Sequence, residues 1–307
     1  MKPATRVLAA LLLAVLAVGC ASTETTTSEE RIIPKEPGER DLRLYREGDE
    51  NRLFIELNSL MTRWEEAALK HDEVVLVGIR EQIERYVLAN FALVRDALRS
   101  ENERFRMVAA GTVGFGKRKE VIPTLMELLT EEDEYLLSNA LLSLGELSPL
   151  NHRLGRVSAL LEHESISVRS NAVRVMARNL EEEDQATYFG AIQHALDDED
   201  GVVRLQAIGA MMRLGGPGAV REIAKRTKDP YKRVRIRAAL ALGEMGDVAG
   251  NAVPDLIAVL DNQDLDERQA AASSLARITG QDFDLDAPAW TRYWETSSDR
   301  GGSAVPN

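Results

Sequence analysis

Apolar and small residues recur along residues 100–295 in a pattern that returns every 31–35 positions. With Arg235 as reference, equivalent segments begin at Arg106, Leu137, Arg169, Arg204, Arg235 and Arg268. Three positions after each stands an alanine: Ala109, Ala140, Ala172, Ala207, Ala238 and Ala271. The next position is apolar in every copy, and so is the seventh, which reads Val113, Leu144, Met176, Met211, Leu242 and Leu275. Offsets −1, +3, +4 and +7 share one face of an α-helix. Each copy therefore predicts an amphipathic helix with a methyl group at the centre of its buried face, where a neighbouring helix can come close. The eighth position is small in five copies (Gly114, Gly145, Ala177, Gly243, Ala276) and large only at Met212. Glycine there is expected to end the helix.

A second apolar helix follows in most copies: "VIPTLMELL" (121–129), "AIQHAL" (191–196), "AVREIAK" (219–225) and "AVPDLIAVL" (252–260). Pro123 and Pro254 stand near the starts of two of them, where a missing amide hydrogen costs little. Residues 132–160 fit least, because Leu137 replaces the arginine and the second helix is blurred. A single hairpin of this kind cannot bury its apolar face alone, so the copies must stack and the stack needs closed ends. Residues 49–99 read as an N-terminal cap of two long amphipathic helices, "NRLFIELNSLMTRWEEAALK" and "EVVLVGIREQIERYVLANFALVRDAL". Trp290 and Trp294 fall on one face of a last helix and are expected to cover the other end.

The segment "VRIRAALALGEMGD" with its partner "AVPDLIAVL" resembles a HEAT repeat, in particular the short bacterial kind grouped with phycobilisome-lyase-type repeats. "ITGQDFDLDAPAWTRYWE" resembles the terminal segment of many bacterial HEAT-repeat proteins. The resemblance covers residues 100–295 and implies an all-α, HEAT-like solenoid of about six helical-hairpin repeats. It also implies that Arg106, Arg169, Arg204, Arg235 and Arg268 form a structural ladder, paired with acids of the preceding inter-repeat turn. The candidates are Asp198 and Asp200 before Arg204, Asp229 before Arg235, and Asp264 and Asp266 before Arg268. Partly exposed pairs of this sort are worth ~0–1 kcal/mol each. In such arrays the second helices normally line the inner curve, which makes their outward residues the expected partner surface. Those are Tyr188 and Gln193 on one second helix and Arg221, Lys225 and Lys228 at the next.

Charge sharpens this picture. The chain carries 50 acidic and 38 basic residues, a net charge of −12. Against that background "REIAKRTKDPYKRVRIR" (221–237) holds eight basic residues and only Glu222 and Asp229 as acids. Arginines placed once per repeat at one helical position suit a ladder and do not suit a nucleic-acid site, which would also want stacking aromatics beyond Tyr231. Arg221, Lys225 and Lys228 lie outside that ladder, on one helical face at i, i+4 and i+7. They read either as a solvated face or as a docking surface for an acidic envelope protein or peptide.

The amino terminus adds a compartment. Lys2 and Arg6 precede the apolar run "VLAALLLAVLAV", twelve residues long and followed by Gly19 and Cys20. A membrane span needs ~20 apolar residues, so residues 1–19 read as a secretory signal peptide. "AVGC" resembles a bacterial lipobox, with Ala17 where the family prefers leucine; the resemblance implies cleavage before Cys20 and its lipidation. Cys20 is the only cysteine, so no internal disulfide can form. Residues 20–48, rich in Ser, Thr, Glu and Pro, read as a disordered tether with a reach of ~30 Å, and residues 296–307 as a loose tail. Ala21 after the cysteine, by family analogy, favours an outer membrane facing the periplasm.

Catalytic constellations are sparse. A di-iron HEAT hydroxylase needs matched His-Glu steps from opposite halves, and His163-Glu164 is the one such step. His163 accordingly reads as a residue of an inter-repeat turn. "DFDLD" (282–286) opens like a calcium loop but has Ala287 and Tyr293 where that loop needs Gly and Glu. Asp286 reads instead as a helix N-cap. No nucleophile elbow, phosphate loop or zinc-helix motif occurs, so neither cofactor nor metal is expected. The sequence points to a membrane-anchored binding scaffold of the bacterial envelope without catalysis. A structural spacer, or a HEAT-type metalloenzyme or lyase, are the alternatives.

Overall fold

The buried face is the one the alanines mark: Ala109, Ala140, Ala172, Ala207, Ala238 and Ala271 have no solvent exposure at all in the computed structural model. The model describes residues 50–70, 72–150, 154–180 and 184–298, which lie within one compact unit. Among them every regular element is helical. Six first helices carry the alanines: α4 (Glu103–Thr112), α6 (Glu134–Glu146), α8 (Ile166–Asn179), α10 (Gly201–Leu214), α12 (Lys232–Met245) and α14 (Leu265–Thr279). Each packs against the next in chain order, forming one row of a solenoid. The second helices are α5 (Ile122–Leu128), α7 (Gly155–Ala159), α9 (Gln185–Leu196), α11 (Gly216–Lys225) and α13 (Val253–Val259). The blurred one, α7, is a single short helix continued by a 3₁₀ turn at Leu160–Glu162.

Four of the six first helices start where a short polar side chain takes the orphan amide hydrogens. Asn102, Asp133, Asp200 and Asp264 each accept from the backbone N–H two or three residues on. Their ends depart from expectation. The small residue at the eighth position lies inside α6 and α12 and terminates neither. Termination falls to Gly215, Gly246 and Gly280, whose φ values of 66°, 63° and 69° lie in the left-handed region. Gly114 and Gly243 serve packing instead. A Cβ on Gly114 would stand 2.3 Å from the Ser143 carbonyl oxygen, and one on Gly243 would stand 2.8 Å from the Ser274 Cα. These glycines let the end of one first helix press against the backbone of the next.

At the amino-terminal end α1 (Glu50–Lys70) and α2 (Glu73–Ala89) lie antiparallel through Leu53, Leu57, Ile79 and Ile83, all buried. The second long helix of the sequence reading is broken. Asn90 adopts a non-helical conformation, and α3 (Phe91–Ala97) continues beyond it. At the other end α15 (Ala287–Ser298) packs on α13 and buries Trp290 completely, while Trp294 is only half-buried. Asp286 caps α15, its carboxylate accepting from the Ala289 N–H at 2.9 Å. Cys20, expected to carry a lipid, the residues read as signal peptide and tether, and the residues after Ser298 lie outside the described residues.

Candidate functional site

The arginine ladder exists in three steps, with a different polarity from the one the resemblance implied. Arg169 donates through Nε and Nη2 to Asp198 at 2.8 and 3.0 Å. Arg204 grips Asp229 the same way, and Arg235 spans both carboxylate oxygens of Glu267. In each case the carboxylate belongs to the following repeat. The preceding turn supplies backbone carbonyls, which Nη1 takes in pairs: His163 and Glu164, Asp198 and Glu199, Asp229 and Pro230. The guanidinium is a rigid fork with five donors, so one edge matches a carboxylate while the remaining nitrogen holds the local turn. Asp200 and Asp264, expected as ladder acids, cap helices instead; Asp264 and Asp266 also bind Lys232, at 2.6 and 2.9 Å.

Among the described residues Arg106 and Arg268 form no such pair, and the Nε of each is buried without an acceptor. Leu137 stands in the copy after Arg106, and no further first helix follows Arg268. The three complete steps are also more enclosed than exposed pairs. Asp229 is buried against Arg204, and its carboxyl sits below the ordinary range: burial pushes it up, but the bonds from Arg204 and the Tyr231 N–H outweigh that.

The second-helix surface gathers the residues expected to meet a partner. Arg221 and Lys225 lie on the exposed face of α11, and Lys228 is exposed in the 3₁₀ turn that follows. α9 runs beside α11: Phe189 touches Gly218, and Arg226 binds Asp197. Tyr188 and Gln193 on α9 are half-buried. Much of the basic face is neutralised within the chain. Lys225 donates to both oxygens of Glu222, and Lys228 lies 3.6 Å from Asp255. The sequence reading missed the second of these, since Asp255 is brought near only by stacking α13 on the preceding turn.

A larger cationic cluster escaped the sequence altogether. Glu146, at the end of α6, is buried, and its Oε1 accepts from Arg80 of α2 at 2.8 Å and Arg178 of α8 at 3.0 Å. Its Oε2 accepts from Lys117 Nζ at 2.8 Å. Burial would raise its pKa, yet Arg178, the bond from Lys117 and the charge of Arg80 hold it at about 2. Arg174, one turn before Arg178, senses the same charges. These residues come from four elements spread over a hundred positions. The one sequence signal was the adjacency of Glu146 and Arg178 at the same offset in neighbouring copies.

The described residues hold no group of three or more histidine, cysteine or carboxylate side chains arranged to take a metal. His163 lies in the turn before α8, where its Nδ1 accepts from the Ser165 N–H at 3.0 Å.

A family model described as HEAT repeats matches residues 154–230 and 220–288. The uncharacterized phycocyanin operon protein Z of Pseudanabaena tenuis is 30% identical over 172 residues, covering 52% of this chain and 80% of that protein. The chain belongs to the HEAT-repeat family. Among solved structures, this HEAT-repeat chain is similar in fold to the Escherichia coli protein YibA, at 14% identity and a TM-score of 0.51 over 82% of this chain and 98% of that one.

Proposed function

We propose that this HEAT-repeat protein is a binding scaffold without chemistry of its own, held at the bacterial envelope by a lipid on Cys20. The observation that carries the reading is the division of labour within each repeat. The alanine faces and the arginine ladder are consumed in joining repeats, while the outward side chains of α9 and α11 still reach solvent, where another protein can meet them. A solenoid held this rigidly presents an extended surface at little ordering cost. An acidic protein or peptide is the partner of choice, because Arg221 forms no ion pair among the described residues and Lys225 and Lys228 are well exposed. Capture from envelope extract with the chain from Ala21 onward tests this. Reversing the charges of Arg221, Lys225 and Lys228 together should lose an acidic partner, and recovery of the same partners would refute the basic face as the docking surface. Cys20→Ser should move the full-length protein from membranes to the soluble fraction; persistence with membranes would defeat the anchor.

A second reading, a role in handling phycobiliproteins, takes its support from the phycocyanin operon relative. It requires that the chain bind or modify apo-phycocyanin. A mixture of the two with free bilin that shows neither a complex nor new chromophore absorbance would exclude it.

A further inference from the structure

The cluster at Glu146 has more positive charge than its one carboxylate can satisfy. Arg80, Lys117 and Arg178 already share its two oxygens. Arg174 is left over: its Nε and Nη2 are buried and have no acceptor among the described residues. Burial, then the charge of Arg178, lowers its pKa to about 10, with Arg80 adding to the effect and Glu146 opposing it. Arg174 is thus still charged at neutral pH, among like charges. Arg174 as a whole is half-buried, but a buried donor left without an acceptor is costly and in a native protein calls for a missing water or ion. The surplus stands out in a chain whose net charge is −12.

Two further features favour a site over an accident of packing. Lys117 has φ 54° and ψ 20°, a left-handed conformation that lysine rarely adopts. From that position its ammonium reaches both the Glu146 carboxylate and the Glu146 carbonyl oxygen, at 2.8 and 3.0 Å. The cluster also opens to water. Arg80 and Arg178 each keep 33% of their side-chain surface exposed and Lys117 keeps 47%, while Glu146 keeps 1%.

We propose that Arg80, Lys117, Arg174 and Arg178 together bind a dianionic oxyanion, either inorganic phosphate or the phosphate of a small phosphomonoester. Glu146 is the floor that fixes the three outer cations. The anion enters between Arg80 and Arg178 from the solvent side, with a small rotamer shift of either, and takes the donors of Arg174 that Glu146 does not reach. Two negative charges offset most of the surplus, and planar guanidinium forks match tetrahedral oxyanions in pairs. The site lies on α2, α6, α8 and the turn after α4, away from the α9–α11 surface, so it stands independently of the scaffold reading.

Thermal unfolding of the soluble chain in inorganic phosphate or in glycerol 3-phosphate, against sodium chloride of equal ionic strength, tests it. Either anion should raise the melting temperature saturably beyond the salt control, as binding to the folded state alone requires. A rise with inorganic phosphate marks the free ion as the ligand, and a rise with the ester alone marks the phosphomonoester. Arg174→Met should abolish the rise. Without phosphate it should melt no lower than the wild type, because it removes an unpaired charge. Should that variant fail to fold, the Arg174 Nε–H resonance of the wild-type protein supplies the readout and should shift on titration. Equal effects of phosphate, ester and chloride, a rise retained by Arg174→Met, or an unmoved Arg174 resonance would each overturn the proposal.

Discussion

Arg204 holds Asp229 of the next repeat with two hydrogen bonds of 2.8 Å, in a setting where the aspartate side chain is 0% exposed. The same guanidinium closes its own turn through the carbonyls of Asp198 and Glu199. One side chain thus fixes both the turn and the step to the next repeat. Asp229→Asn removes the carboxylate and leaves a buried guanidinium poorly matched, so it should cost about 3–5 kcal/mol. Arg268→Met, at the open end of the ladder, should cost under about 1 kcal/mol. Urea unfolding of the two variants checks the contrast, and equal losses would refute the ladder as the joint between repeats.

Glu146 predicts acid sensitivity. Its folded pKa of about 2 lies below its ordinary 4.5, so the ionised carboxylate stabilises the folded state above pH 4.5. That contribution, on the order of 3 kcal/mol, drains away as pH falls from 4.5 towards 2. Glu146→Gln should lose about 3–5 kcal/mol at neutral pH and show a flatter stability profile through that acid window. A wild-type and a variant curve running parallel between those pH values would contradict the arrangement.

The two glycines of the eighth position should respond oppositely to a methyl group. Gly114→Ala drives its Cβ to within 2.3 Å of the Ser143 backbone and should cost about 1–3 kcal/mol or more. Gly145→Ala meets only Val175 Cγ2, at 3.7 Å, and should be neutral or stabilise α6 by up to about 1 kcal/mol. Paired melting curves decide this directly.

Trp290 closes the carboxy-terminal end. It is fully buried, stands edge-on to Phe283 with ring centroids 4.9 Å apart, and donates its indole N–H to the Asp284 carbonyl at 2.9 Å. Trp290→Ala should cost about 3–5 kcal/mol. Trp294→Ala, at a half-buried position of the same helix, should cost clearly less. Equal costs would mean that the end is not sealed where the burial pattern places it.

The repeat, its helices and its alanine faces were legible because they are local. A 3.6-residue period and a methyl at one offset are written into consecutive residues, and burial of all six alanines follows from them. The cap at Asp286 was readable for the same reason, whereas Asp200 and Asp264 read as ladder acids and turned out to cap helices. The break at Asn90 was not, since apolar periodicity continues across it; there the Asn90 side chain donates to the Tyr86 carbonyl and both flanking helices pack on the 3₁₀ turn at Val113–Gly116. The role of the eighth-position glycines was misread because a helix end and a close helix contact ask for the same residue.

What the amino-acid order determined alone is therefore the unit: which residues turn inward, that each copy opens on an amphipathic helix, and that the units stack. What the tertiary structure decided is every relationship between units. An arginine carries no mark of whether its carboxylate lies one repeat back or one repeat on. Glu146 does not announce that four cations will gather near it. Such pairings depend on the rise and rotation from one hairpin to the next, and those emerge only when whole surfaces pack.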